Sequence, residues 1–245
     1  MRRILFHWRG TAVYSYPVML YLGIVLGIYA ELFAAGTVGL DRARVLAATL
    51  ILLTSALLGA RLLFVAANWK LFRTHPERIL RFSDGGASMY GGLLLAVPLS
   101  IPLLNALGIS AGLFWDCAAL TMLIGMIVTR VGCLLNGCCA GKPTCGPLGV
   151  NLTDYRGVTI RRLPTQLFEA AWGLAVLFGA WLLWGRLPFA GGMLLYILGG
   201  YGAGRALLES TREEQDQLFG VTLHRAISTA LLAIAVLAFT LARRG

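Results

Sequence analysis

The chain has 245 residues, of which 58% are hydrophobic and only 13% charged, and its mean hydropathy is +0.76. So few charges over this length exclude an ordinary soluble domain, and recurring apolar runs of about 20 residues match a hydrocarbon core of roughly 30 Å. The net charge of +10 reads as contact with anionic lipid head groups, with no nucleic acid as partner, because the basic residues collect at span ends and in loops.

Seven spans are expected in chain order, over residues 16–35, 43–67, 88–107, 115–129, 166–184, 188–208 and 221–242; the fourth is the shortest, and its ends stay open toward Ile109 and past Arg130. Only helices or closed barrels satisfy the backbone in lipid, and runs this long exclude barrel strands. The expected fold class is all-α, a polytopic integral membrane protein with about seven transmembrane helices in a single membrane domain over 1–245. Residues 1–10 are polar and aromatic and precede a run too long for a cleaved signal peptide. Pro98 and Pro102 should bend the third span. Gly185-Arg186-Leu187-Pro188 reads as a tight hairpin between the fifth and sixth spans. An extramembrane loop over 130–165 carries the most unusual segment, and its 151–159 stretch has some strand character.

Passing the chain back and forth through a bilayer brings every unusual polar element to the face that holds the N-terminus. Tyr16 opens the first span, Ser88-Met89-Tyr90-Gly91-Gly92 the third, Arg130 closes the fourth, and Arg205 and Glu209 close the sixth. Most basic residues fall on the same face, so the preference of positive charge for the cytoplasm, taken alone, places it inside.

Several of these elements carry chemistry. Arg61 lies roughly 12 Å deep in the second span at 1.5 Å per residue, where an arginine faces a cavity or partner or snorkels to the surface. Arg205, Glu209 and Arg212, spaced i, i+4, i+7, share one helical face. They form either a self-satisfied ion pair or a guanidinium fork held by Glu209 to grip a phosphate, with Tyr201 on the same wall. The glycines Gly85, Gly86, Gly91 and Gly92 bracket Tyr90 and allow close backbone approach to a ligand or to another helix.

Four of the five cysteines lie between Cys133 and Cys145. They admit a soft-metal site, a disulfide from Cys145 to Cys138 or Cys139, a nucleophile stabilised by Arg130 or Lys142, or inert packing of small residues. There is no C-x-x-C pair and no histidine beside them, so no metal and no other cofactor is expected.

These segments together resemble one family, the prolipoprotein diacylglyceryl transferases of bacterial inner membranes. Tyr16-Pro17-Val18-Met19 resembles the family's Tyr-Gly-Leu-Met, and Gly59-Ala60-Arg61 its Gly-Ala-Arg. The stretch from Gly85 to Gly92 resembles Gly-Gly-Met-Ser-Phe-His-Gly-Gly. Arg130 through Gly141 resembles Arg-x-Gly-Asn-Phe-x-Asn-Gly-Glu-x-x-Gly. Pro164 through Glu169 is similar to Pro-x-Gln-Leu-Tyr-Glu, and Tyr201 through Arg212 to Tyr-x-x-x-Arg-x-x-x-Glu-x-x-Arg.

The resemblance implies seven transmembrane helices and an extracytoplasmic N-terminus, hence an active face outside, against the charge rule. It implies transfer of the diacylglyceryl group of phosphatidylglycerol to the lipobox cysteine of a prolipoprotein, with release of glycerol phosphate. Arg130, Arg205, Glu209, Tyr90 and Cys138 are then the catalytic candidates. Tyr16, Arg61, Gly91, Gly92, Asn136, Gly141 and Tyr201 are the substrate-binding candidates. Three positions depart from the pattern: Tyr90 stands for a histidine, Cys133 for an asparagine and Cys138 for a glutamate. These departures leave open a paralogous transferase with another acceptor, or a noncatalytic lipid-binding membrane protein.

Overall fold

A computed structural model of the chain describes residues 3–74, 76–79, 88–154, 157–212, 217–218 and 221–242. Its helices are α1 (Ser15–Thr37), α2 (Arg42–Ala67), α3 (Trp69–Thr74), α4 (Met89–Ala106), α5 (Ala111–Asn136), α6 (Thr165–Leu183), α7 (Gly192–Leu208) and α8 (Leu223–Ala242). All but the short α3 fall at expected spans. Among the described residues α1, α2, α5 and α6 are long and apolar enough to cross a membrane, and α4 and α8 contain shorter apolar stretches. The chain is a mostly helical, multi-pass membrane protein. Its strands form three hairpins: β1 (Ile4–Trp8) with β2 (Thr11–Tyr14), β3 (Val150–Thr153) with β4 (Thr159–Arg162), and β5 (Gln217–Leu218) with β6 (Val221–Thr222).

The chain divides into two compact units, Met1–Ala34 with Trp115–Gly245, and Ala35–Phe114. In the first, α1 meets α5 through small residues. A Cβ on Gly23 would lie 3.1 Å from the Cα of Gly125, and one on Gly27 would lie 2.8 Å from the Cα of Thr121. Lipid tails are as apolar as leucine, so helices in a bilayer associate through such close backbone approach rather than through hydrophobic burial. Beside this contact, the Thr121 hydroxyl donates to the fully buried Glu31 carboxylate at 2.6 Å. Helices α5, α6 and α7 pack around Leu123, Ile127, Val176, Ala180, Met193 and Ile197.

Helix α7 begins at Gly192 rather than at 188, and the cause is local. Gly191 adopts φ +98° and has no side chain with which to cap the helix. The cap comes from α5 instead: Asp116 accepts from the amides of Gly191 and Leu194 at 2.8 and 2.9 Å. A carboxylate there satisfies orphan amides and complements the positive end of the helix. The preceding turn, with Gly185 at φ +73° and the Arg186 amide bonded to the Leu183 carbonyl, lies where the hairpin was expected.

Helix α5 runs on through Asn136, so Arg130 and Cys133 are helical rather than part of the loop. The apolar run of Val131, Leu134 and Leu135 carries the helix past Arg130, and Gly137 at φ +77° stops it. The strand character at 151–159 appears as the β3–β4 hairpin, paired from Val150↔Arg162 to Thr153↔Thr159. The N-terminal hairpin has no counterpart in the sequence reading. Trp8 pairs with Thr11 across Arg9 and Gly10, both with positive φ, which is the geometry of a two-residue hairpin turn.

In the second unit α2 starts at Asp41, whose carboxylate accepts from the Arg44 amide at 2.9 Å. Helices α2 and α4 cross where Gly59 faces Gly91, and a Cβ on either would strike the other's carbonyl oxygen. The Ser88 amide donates to the Ala60 carbonyl at 3.0 Å just before α4 begins. Pro98 and Pro102 both lie inside α4.

Arg61 is buried at 5% exposure and holds the segment after α3. Its Nε and NH2 donate to the carbonyls of Ile79 and Arg78 at 2.9 and 2.8 Å, and its guanidinium lies over the rings of Phe64 and Phe72. Replacing it by methionine keeps the stem but strips both carbonyls of a charged donor. Arg61→Met should cost about 3 kcal/mol. A thermal melt in detergent reads this as a lowered midpoint, and an unchanged midpoint would remove the anchoring role.

Candidate active site

The site in the first unit grows from the ends of three helices. Helix α5 closes in a Schellman arrangement: the Cys138 amide donates to the Cys133 carbonyl at 3.1 Å and the Gly137 amide to the Leu134 carbonyl at 3.3 Å. This reversal sets residues 133 and 138 side by side. Cys139 follows with φ +58°, a left-handed conformation that costs a non-glycine residue roughly 1 kcal/mol or more. The two turns fold the chain back on the helix end, and the sulfurs of Cys133, Cys138 and Cys139 all lie within 4.8 Å of one another. All five cysteines are free thiols. Gln166, on the first turn of α6, fixes the reversal by donating to the Cys138 carbonyl at 2.7 Å.

One turn further along α6 stands Glu169, which organises the charges. Its Oε1 accepts from Arg205 at 3.0 Å and from Arg212 at 2.9 Å, while its Oε2 faces Nε of Arg130 at 2.6 Å as an ion pair without hydrogen-bond alignment. Glu209 flanks the Nε of Arg205 at 3.4 Å, the i, i+4 pair expected on α7. Glu169 and Glu209 are both buried. Three guanidinium groups thus surround two carboxylates and leave one net positive charge. Arg130, Glu169, Tyr201 and Arg205 line a small cavity with Trp172. A larger apolar cavity of about 370 Å³ lies between α7 and α8, lined by Leu195, Tyr196, Gly199, Leu232, Val236 and Phe239.

Helix α7 ends at Leu208 and a 3-10 turn spans Glu209–Thr211, so Arg212, in extended backbone, does not share the helical face its i+7 spacing predicted; backbone pairing places it instead. Gly141 bridges to Arg212, its amide donates to the Leu163 carbonyl at 3.0 Å, and the next amide, of Lys142, donates to the Thr211 carbonyl at 2.9 Å. A Cβ on Gly141 would lie 2.6 Å from the Thr211 oxygen and 2.7 Å from that of Leu163. Gly141→Ala should therefore push the loop off Arg212, cost about 2 kcal/mol and lower activity more than stability. Thermal melts and turnover measured side by side check this; a variant matching the native protein in both would contradict it.

Tyr16, at the start of α1, lies within electrostatic reach of Arg130, Cys133, Cys138 and Cys139. Asn136 ends α5 and lies beside Cys138. The Cys139 thiol is held far below the usual thiol range because the sulfhydryls of Cys133 and Cys138 stabilise its thiolate. Arg130 and Arg212 add positive charge, and burial opposes them.

The sequence candidates divide between the units. Tyr16, Arg130, Asn136, Cys138, Gly141, Tyr201, Arg205 and Glu209 belong to the first unit. Tyr90, Gly91, Gly92 and Arg61 belong to the second, where Tyr90 is exposed in the first turn of α4, Gly91 is at the α2 crossing, and Arg61 engages backbone carbonyls. Gly85 and Gly86 lie outside the described residues. Glu169 and Gln166 were not among the catalytic or substrate-binding candidates, and Cys139 was named only within the cysteine cluster, as a candidate disulfide partner or nucleophile. The signal for the first two was the Pro164–Glu169 segment itself, which carries a charged residue on an apolar helix.

The sequence pattern of the prolipoprotein diacylglyceryl transferases matches residues 3–241, a span that includes every residue of this polar cluster. The chain belongs to the prolipoprotein diacylglyceryl transferase family. It is similar to the phosphatidylglycerol–prolipoprotein diacylglyceryl transferase of Streptococcus equi subsp. zooepidemicus (strain MGCS10565), with 27% identity over 250 residues. It is also similar to the protein of that name from Streptococcus pyogenes serotype M5 (strain Manfredo), with 26% identity over 245 residues. Each alignment covers 95% of this chain and 92% of the relative. As a prolipoprotein diacylglyceryl transferase family member, this chain is a transferase of lipoprotein biosynthesis, and Cys133 and Cys138 place a thiol cluster beside its arginines.

Proposed function

We propose that this protein moves the diacylglyceryl group of phosphatidylglycerol onto the lipobox cysteine of a prolipoprotein, in a bacterial inner membrane that it crosses seven times, with its active face outside. The single observation that carries the reading is the Arg130–Arg205–Arg212 cluster held on Glu169. The acceptor sulfur attacks the glycerol carbon bonded to the phosphate oxygen. The carbon–oxygen bond breaks, its electron pair stays on that oxygen, and glycerol phosphate leaves as a thioether forms. A phosphodiester with one negative charge becomes a monoester with up to two. Preorganised guanidinium groups stabilise that added charge more in the transition state than in the substrate.

The remaining parts serve this reaction. Glu169 and Glu209 hold the arginine forks in place without cancelling their charge. The cavity between α7 and α8 is apolar, as an acyl chain requires. Tyr16, Asn136, Gly141 and Tyr201 surround the head group in this reading. Lipid phosphate bound by these arginines also accounts for the excess of basic residues on an outward face.

Complementation tests the proposal. A bacterial strain depleted of its own diacylglyceryl transferase should grow when this protein is expressed and should accumulate lipid-modified prolipoprotein. Stable insertion without rescue would favour the reading as a paralogous transferase with a different acceptor.

A further inference from the structure

We infer that Cys133, Cys138 and Cys139 form a binding site for a zinc-class thiophilic cation, which takes the acceptor thiol as its fourth ligand.

The argument starts with geometry. At a zinc–sulfur distance of about 2.3 Å, the thiolates of a tetrahedral site lie about 3.8 Å apart. The three sulfurs are already within 4.8 Å of one another, so a shift of about 1 Å closes the site. No residue need travel, because the backbone is fixed on both sides. The Schellman bonds hold residues 133 and 138 together, and Gln166 holds the Cys138 carbonyl. Cys139 keeps a strained left-handed conformation that turns it toward the same point. Simple packing does not call for that strain, since a glycine at 139 would complete the turn without cost.

The donor set fits a soft d10 ion. Three thiolates with a divalent cation carry one net negative charge, and Arg130 and Arg212 lie near enough to Cys139 to balance it. Positive neighbours oppose the cation but favour the thiolates and the anionic complex as a whole. The site is also open on one side: Cys133 is buried, Cys138 is half-buried and Cys139 is exposed. Three protein ligands and an accessible fourth position are the arrangement of a catalytic rather than a structural zinc.

The chemistry follows from what the sulfur must do. A thiol that coordinates zinc loses its proton outright, yet keeps nucleophilic lone pairs for an sp3 carbon. The acceptor thiol enters the fourth position and gives its proton to water. Its sulfur then forms the bond to the glycerol carbon as the carbon–oxygen bond breaks, and the electron pair leaves with glycerol phosphate. The product thioether is a weaker ligand than a thiolate and departs. This route supplies a deprotonated acceptor without a histidine, which the chain lacks at Tyr90. The activation step rests on the proposed diacylglyceryl transfer, whereas the metal site does not.

The test reads the metal first, on the full-length protein in detergent. Zinc analysis after dialysis should give about one ion per chain. Cobalt(II) substituted for it should show thiolate charge-transfer bands and the visible bands of a tetrahedral ion. Cys139→Ser, an exposed change that spares the fold, should weaken the site at least about 100-fold, as should Cys138→Ser. Cys145→Ser and Cys117→Ser should leave it intact. Absence of the cobalt–thiolate bands in the native protein, or their survival in Cys139→Ser and Cys138→Ser, overturns the site. Transfer to a lipobox peptide is measured separately. Loss of at least about 10-fold on chelation, restored by zinc, supports the activation step. Full-rate transfer by metal-free protein overturns it. Cobalt binding by a protein that transfers nothing even when zinc-loaded sinks the proposed function and leaves the site standing.

Discussion

Glu169→Gln should be the most damaging single substitution in this protein. The exchange removes one negative charge and nothing else of size, but that charge is shared by Arg130, Arg205 and Arg212. Three partly buried guanidinium groups would be left facing one another, with Glu209 the one carboxylate among the described residues still paired to them. Breaking a buried ion pair from one side costs about 3–5 kcal/mol, because the partner charge is stranded away from water. The relief is to splay the arginines apart, which also dismantles the phosphate site. A fall in detergent stability of that size should therefore accompany at least about 100-fold loss of turnover. Pairing Glu169→Gln with Arg212→Gln should recover about 1–3 kcal/mol of stability, since the two groups are in contact. Recovery of stability without recovery of turnover separates the structural part of the effect from the catalytic part. Strictly additive effects would mean that Glu169 does not hold Arg212.

Arg205 carries the second large effect. Its NH1 and Nε face Glu169 and Glu209, leaving its NH2 without a hydrogen bond among the described residues. A guanidinium pinned on two sides offers that third nitrogen to a phosphate at a fixed angle, which a lysine cannot reproduce. Arg205→Ala should lower kcat by about 100- to 1,000-fold, the usual cost of removing one donor aimed at developing charge. Arg205→Lys should recover part of this, with the shortfall in kcat rather than KM, because the fork matters most once the leaving oxygen gains charge. A loss confined to KM would assign Arg205 to ground-state binding of the lipid head group.

Helix positions were legible because each span is uniformly apolar and the breaks between spans carry glycine, proline or charge. The start of α7 was not, because its cap is Asp116, an acidic residue 75 positions earlier on another helix. The sequence leaves the end of α5 open, at Arg130 or beyond it. Arg130 resembles a terminator in sequence, yet its charge is absorbed by Glu169 and the helix continues to the positive-φ Gly137. Arg205 and Glu209 were named from helical spacing and family resemblance, Arg130 from the span end and the same resemblance, and the structure groups them around Glu169. Glu169 stood in the Pro164–Glu169 segment that resembles the family, but its role was passed over because its partners come from α5, from α7 and from the segment after it. The thiol cluster was seen as a cluster, but spacing alone argued against a metal. The chain reversal at Gly137 and Cys139 brings Cys133 into range in a way that no C-x-x-C rule describes.

Mass spectrometry of a lipobox peptide after incubation with purified protein and phosphatidylglycerol vesicles tests the central claim most directly. The account predicts a peptide heavier by one diacylglyceryl group, joined through its cysteine sulfur in a bond that resists mild base, with an equal amount of glycerol phosphate released. It also predicts that the initial rate of both products falls at least about 100-fold with Arg205→Ala. Unmodified peptide and intact phosphatidylglycerol, from a protein that is folded and binds the lipid, would contradict it.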